Sequence, residues 1–545
     1  GADNTAVGYQ ALTTNITGTN NVAMGVSALK LNTGSNNTAI GRGALLNQAA
    51  GSDNTAVGKD AGNDITTGIQ NTLIGGLAGD ALTDADENTA VGLGSKTTAI
   101  GRGALLSQNF TTATDTYNTA VGYFAGLAIT TGLQNTLIGS LAGDALTDAD
   151  FNVAVGHQAL SGDTLGSRST ALGRATLRTQ NFTSATEADN VAVGHNAGLS
   201  VTTGIKNTLI GAIAGDALTD ADSNVAVGRA ALSTDTLGSC SVAIGRNALI
   251  VQNFTTATDS FNVAVGDRAG SAVTTGVQNT IVGGLAGDAL TVGGANVALG
   301  YLALSSEDTG NRNVAIGNLA LTTQNSHATN YNTAVGYAAG TAVTTATGST
   351  LIGALAGDAL NTGAGNTAVG YLSLTTATTG ALNTAVGQQA MGGATAVTGS
   401  NNTTMGYASG FGLTSGDNNL FLGKDSGRTG SPGGNITTAD NEIGLGDENI
   451  SAANIQVDWT VASDQRDKTD FTALDLGLDF IKALAPVTYK WDKRSKYGDK
   501  SADDYDLNAQ SPDGTHKEDW LDIGFKAQEV QALEEAAGYT TAAKK

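Results

Sequence analysis

Asn190–Gly198 reads NVAVGHNAG, and the fold turns on how those nine residues are understood. Alternation puts Val191 and Val193 on one face of a short strand and Asn190, Ala192 and Gly194 on the other. β-Branched residues favour a pleated surface, so the valine face is expected to be the buried one. Ala197-Gly198, like Ala159-Leu160 two repeats earlier, suggests a second short apolar strand before a turn rich in Thr, Gly, Asp and Asn. A helix is excluded: the apolar period is two, and Thr, Val and Gly dominate.

The same unit recurs down the chain. Its closing glycines include Gly122, Gly139, Gly156, Gly173, Gly194, Gly211, Gly228, Gly245 and Gly266, mostly 17 residues apart with some steps of 19 or 21. Gly122, Gly194 and Gly266 are 72 apart, the mark of a duplicated four-coil block. Short strands and turns in ~17 residues make one coil of a parallel solenoid, and one coil cannot stand alone. About 25 coils at ~4.8 Å predict a rod of roughly 120 Å. Asn opens nearly every unit (Asn118, Asn135, Asn152, Asn190, Asn207, Asn224), on the Ala/Gly face. Two readings of that face stand together: a close-approach surface where three copies meet around an axis, and an intrachain ladder of stacked Asn.

Composition agrees with a thin repeated cross-section. The 545 residues include 75 Gly, 3 Pro and 1 Cys, with 5% aromatic and 14% charged side chains. Cys240 alone excludes a disulfide framework and a cysteine-based zinc cluster. No apolar run spans a membrane. A net charge of −22 disfavours nucleic acid and anionic lipid. Gly1 is preceded by no initiator Met, so the chain reads as a piece of something longer.

The last 83 residues follow another plan: they hold 12 of the 27 basic and 17 of the 49 acidic side chains. The expected organisation is therefore a β-roll over 1–427, a connector over 428–462 and a small α+β domain over 463–545.

The repeats resemble the head repeats of trimeric autotransporter adhesins, a left-handed parallel β-roll assembled as a trimer, and repeats of bacteriophage tail fibres. That resemblance implies an all-β repeat solenoid forming a homotrimer, with the residues beyond the family's shorter spacing in protruding turns. The C-terminal segment resembles the intramolecular chaperone domain of phage tailspikes and endosialidases, the S74 peptidase family. Ser463, Asp464, Arg466 and Lys468 carry its first motif; Leu484, Pro486, Val487, Tyr489 and Trp491 its second; Gly524, Phe525, Ala527, Gln528, Glu529 and Val530 its third. The resemblance implies a domain that trimerises, sets three chains in register and cuts itself off between Ala462 and Ser463. Ser463 would be nucleophile and Lys468 its partner, a chemistry that needs a desolvated amine. Asp467 and Asp470 depart from the family pattern, and both carboxylates favour a protonated Lys468.

Near-identical coils pair out of register at little cost, which explains the need for such a trimeriser. The whole reads as a virion tail-fibre fragment, extracellular, reaching for a bacterial surface receptor of glycan or protein. Other tail proteins would join through a region before Gly1. A cellular trimeric adhesin and a self-processing endopeptidase are the alternatives. No cofactor and no metal are called for. DALTDAD at Asp80–Asp86, Asp144–Asp150 and Asp216–Asp222 lacks calcium-loop spacing and reads as solvated acidic turns. The residue after the closing glycine is often large: Tyr123, His157, His195, Arg229, Tyr301, Tyr337 and Tyr371 are receptor-binding candidates, either a sugar-binding stripe or plain exposed decoration.

Overall fold

The computed structural model describes residues 1–80, 83–84, 89–91, 97–108, 114–393, 396–453, 477–492, 497, 509 and 511–537. The chain divides into two units, Gly1–Asp447 and Glu448–Lys545.

The first unit is a parallel β-solenoid. Three-residue strands, one per coil from Thr5–Val7 to Ile443–Leu445, join in one 26-stranded sheet. Val191–Val193 pairs in parallel with Thr208–Ile210, Val191 against Thr208, Ala192 against Leu209 and Val193 against Ile210. That register repeats from coil to coil, so every strand copies the one before it.

The faces are the reverse of the expected ones. Ala192, Leu209 and Ala226, the middle residues, are wholly buried, while Val191, Ile210 and Ile244 are 36–38% exposed on the outer face. The cause is the narrow cross-section: the return side of each coil lies directly behind the strand, leaving room in most coils for Ala or a single Leu, with Ile281 and the larger Phe421 among the exceptions. The larger β-branched residues point out. The Asn column goes inside with the alanines. Asn207 donates its backbone N–H to Asn190 Oδ1 at 2.9 Å and its side-chain amide to the Ala221 carbonyl at 2.7 Å. Asn224 repeats the first bond on Asn207 at 3.0 Å. The intrachain ladder is therefore present. The Asn/Ala/Gly face is roll interior and cannot be where copies meet.

Nor is the return side a second strand. Gln158 and Leu160 have φ of 57° and 54°, a left-handed conformation costing about 1–2 kcal/mol for an L-residue. Full burial of a leucine contributes about 1.5–3 kcal/mol. Leu160 is completely buried, and its N–H also donates to the Thr176 carbonyl of the next coil at 2.9 Å, so the turn is held.

Interior volume is shared by a simple exchange. Most coils with Leu four residues after the closing glycine have a polar residue three further on, as in Leu177 and Gln180, although Leu374 is followed by Ala377. Coils with Gly there have an apolar one, as in Gly198 and Val201. A Cβ on Gly198 would lie 2.8 Å from both Leu177 Cδ2 and Leu209 Cδ1.

In the longer steps, the added residues are tied back to the roll. Gly166–Ser167 pairs with Thr186–Glu187, and Gly238–Ser239 with Thr258–Asp259. Phe182 and Phe254, just ahead of the second strand of each pair, are buried. The roll also extends past 427. The Pro432 loop is an excursion within one long coil: Ile436 returns to donate to the Gly427 carbonyl at 3.0 Å, and Ile443–Leu445 pairs with Leu420–Leu422.

The second unit contributes α1 (Gly477–Ala483), an antiparallel pair of Val487–Tyr489 with Asp522–Gly524, and α2 (Ala527–Ala536). No helix among the described residues is long and apolar enough to cross a membrane.

Candidate functional site

Among the described residues, the glycine that follows each strand of the large sheet has a positive φ. Gly156 has φ 139°, and a Cβ there would stand 2.3 Å from the Gly173 carbonyl oxygen of the next coil. The residue after it is thereby placed on the outside, and its carbonyl accepts an N–H from the coil above: Ala175 donates to His157 O at 2.9 Å and Leu355 to Tyr337 O at 2.9 Å. The result is an outward column, one side chain per coil, beside the exposed apolar strand face.

All seven sequence-predicted binding residues, Tyr123, His157, His195, Arg229, Tyr301, Tyr337 and Tyr371, stand exposed in this column. Three stretches differ in chemistry. In the first, the Arg102 guanidinium lies 5.6 Å from the Tyr123 ring centre and 5.5 Å from that of Phe124. The middle stretch is basic: His157, Arg174, His195, Arg229 and Arg246, with Arg174 Nη1 3.1 Å from His195 Nε2. It closes where Arg246 grips Asp267 through two bonds of 2.7 and 2.9 Å. Those bonds hold the Asp267 carboxyl below its usual range and raise Arg246 above its own. The last stretch has Tyr301, Tyr337, Tyr371 and Tyr407, each 46–56% exposed.

A buried polar spine lies behind the strands, and sequence reading missed it. Asp163 is fully buried. Its Oδ1 accepts the N–H of Gly166 at 3.0 Å and of Phe182 at 3.2 Å, and its Oδ2 accepts Gln180 Nε2 at 2.6 Å. Gln180 also donates to Ser169, which stands where most coils have Asn, and its carbonyl accepts the Asn190 amide at 2.9 Å. Asp235 and Gln252 repeat the arrangement 72 residues on, and Glu307 with Gln324 varies it. The signal was D-x-x-G in one coil followed by Q-N-F in the next (Asp163, Gly166, Gln180-Asn181-Phe182).

The acidic turns are not simply solvated. Asp144, Asp216 and Asp288 each have an Oδ1 that is buried with no hydrogen-bond partner, and desolvation raises all three pKa values. Later acids in the blocks bond to the preceding coil instead, Asp150 accepting the Leu133 N–H at 2.7 Å. No grouping of His, Cys, Asp or Glu among the described residues has the form of a metal site.

In the second unit, Leu484, Pro486, Val487, Tyr489 and Trp491 follow α1, and Gly524 to Val530 run from the second strand into α2. The Tyr489 and Trp491 rings meet edge to face at 5.4 Å. A small hollow is lined by Ala483, Leu484, Phe525, Val530 and Leu533. Trp520, Leu521 and Ile523 are 60–81% exposed. Ala462, Ser463, Asp464, Arg466 and Lys468 lie outside the described residues.

Residues 463–539 match the family model described as Chaperone of endosialidase, Peptidase_S74. No curated protein and no solved structure matches the chain.

Proposed function

We propose that the chain belongs to a homotrimeric fibre that attaches a bacteriophage to a bacterial surface, its C-terminal domain bringing three chains into register. One observation carries the homotrimer, attachment resting on the resemblance of the repeats to tail-fibre and adhesin repeats: the outer strand face presents Val, Ile, Leu or Met in coil after coil, with Met24, Ile74, Ile138, Ile210, Ile244, Leu299 and Met405 each 37–50% exposed in the single chain. A continuous apolar stripe on an otherwise strongly acidic molecule needs a cover. Three parallel copies in register cover it with like against like, coil by coil. The chaperone-family match at the C-terminus supports the same assembly, and the exposed apolar side chains around Trp520 give that domain a surface to assemble through.

The test is adsorption. A fluorescent full-length chain, mixed with a panel of intact bacteria, is expected to sediment with some strains and not with others, and to block phage adsorption on the strains it coats. Uniform absence of binding across the panel of any phage-sensitive host would contradict attachment.

Self-cleavage is a second reading, favoured by the family match beginning at Ser463 itself. Wild-type chains would then end at Ala462, and Ser463→Ala chains would stay whole. Processing that persists in the Ser463→Ala variant would remove Ser463 from the role of nucleophile.

A further inference from the structure

Tyr301, Tyr337, Tyr371 and Tyr407 share one column, joined through every intervening coil: Leu319 N–H donates to Tyr301 O, Ala338 to Asn318 O, Leu355 to Tyr337 O, Leu372 to Ala354 O, Gln389 to Tyr371 O and Ala408 to Gln388 O, all at 2.8–3.1 Å. Tyrosine therefore occupies every second coil, about 9.6 Å apart at the spacing of parallel strands. Between them stand Asn318, Ala354 and Gln388. From Tyr301 to Tyr407 the column has no charged residue, although the chain carries −22 overall and the same column is basic from His157 to Arg246. Each ring is about half exposed. Tyr301 leans toward the small residue one coil below, its Cδ2 3.7 Å from where a Cβ on Gly284 would lie.

Contact between copies of this chain does not account for that period. The apolar strand face repeats in every coil, whereas tyrosine skips alternate ones. A two-coil period suits a ligand with its own repeat of that length. Two pyranose rings of an extended β-linked chain are close to it, and aromatic faces stack on the C–H faces of sugars while Asn, Gln and Tyr hydroxyls take hydroxyl bonds. The absence of charge selects a neutral polymer.

We infer that Tyr301, Tyr337, Tyr371 and Tyr407 form a linear binding track for a neutral, extended β-linked polysaccharide laid along the solenoid axis, two sugars to each tyrosine. The inference rests on the attachment reading and names its receptor class. Additional sugars engage additional tyrosines within one ligand, so affinity rises with chain length in two-sugar steps.

The experiment uses the full chain with chito-oligosaccharides and β-1,4-glucan oligosaccharides of two to eight sugars, and α-1,4-linked maltooligosaccharides as the coiled control. Six-sugar β-linked ligands are expected to bind at least about tenfold tighter than two-sugar ones. Tyr337→Ala with Tyr371→Ala is expected to weaken the six-sugar ligand by about tenfold or more at unchanged native mass, and Tyr337→Phe with Tyr371→Phe to restore most of it. Three results would overturn the track: binding unaltered by the alanine pair, no β-linked oligosaccharide bound, or alanine variants that dissociate into single chains, which would make the column a chain–chain contact. Adsorption to cells separates the levels. If wild type and alanine variants coat bacteria equally, attachment stands and the track falls; if neither does, the attachment reading itself fails.

Discussion

Gln180 donates its side-chain amide to Asp163 of the preceding coil across 2.6 Å, and both side chains are completely buried. No cation stands in that set of bonds; the carboxylate is held by one amide and two backbone N–H groups. A buried acceptor left without its donor costs about 1–3 kcal/mol, and more when charged. Gln252→Met, in the copy at Asp235, is expected to lower local stability by about 2–3 kcal/mol. Because repeat arrays open locally, the measurement is hydrogen exchange at Gly238 and Phe254 rather than a single melting curve. Asp235→Leu added to Gln252→Met also strips the Gly238 and Phe254 N–H groups of their acceptor, so the double variant should exchange faster still at both amides.

The exchange of volume between Leu and Gly coils makes a second prediction. Gly198→Ala puts a methyl 2.8 Å from Leu177 Cδ2 and Leu209 Cδ1 at φ 58°, so a loss of about 1–3 kcal/mol is expected. Leu209→Ala restores the alanine found at the middle of most strands. A double-mutant cycle read by denaturant should show the pair costing less than the sum of the two singles. Additive losses would mean the site is governed by backbone strain alone.

Acid should stabilise particular coils. Burial raises the pKa of Asp216 above its usual 3.8, so the native state binds its proton more tightly than the unfolded chain. Its contribution is full below about 3.8 and is lost as pH rises through the higher folded value; at neutral pH the charged form is a burden. Asp216→Asn is expected to raise the thermal stability of its coils at pH 7 and to flatten their pH dependence above pH 4. Asp216 is only partly buried, so the effect is modest. The same holds for Asp144 and Asp288.

How much of this the sequence showed depends on which force decides each feature. Asn190 to Gly194 fixed the strand, its period and its stacking, because alternation and repetition are local. Which face turns inward was misread, because β-propensity favours Val191 and Val193 while the narrow interior admits only Ala192; cross-section is a property of the closed coil, not of the strand. Leu160 looked extended and lies in a left-handed turn, since its burial outweighs its backbone cost. Asp163 passed unnoticed, because its partners Gln180 and Phe182 lie one coil away. The outward position of the seven column residues is legible because the closing glycine is visible in each unit.

Reversal of the faces makes the outer strand stripe the decisive surface. Ile210→Glu with Ile244→Glu leaves the single coil intact, as these side chains already meet solvent at 38% and 37% exposure. In an assembled fibre the same charges would be buried without partners, at several kcal/mol each. Far-UV strand signal should persist while association is lost.

The most direct measurement is the native mass of the freshly expressed chain beside that variant. Wild type is expected at three times its 54.3 kDa chain mass, or at three times the mass of a chain ending at Ala462 if cleavage occurs, with the Ile210→Glu, Ile244→Glu variant smaller. A wild-type chain that is a soluble monomer, its Val and Ile stripe open to water, would contradict the trimeric fibre.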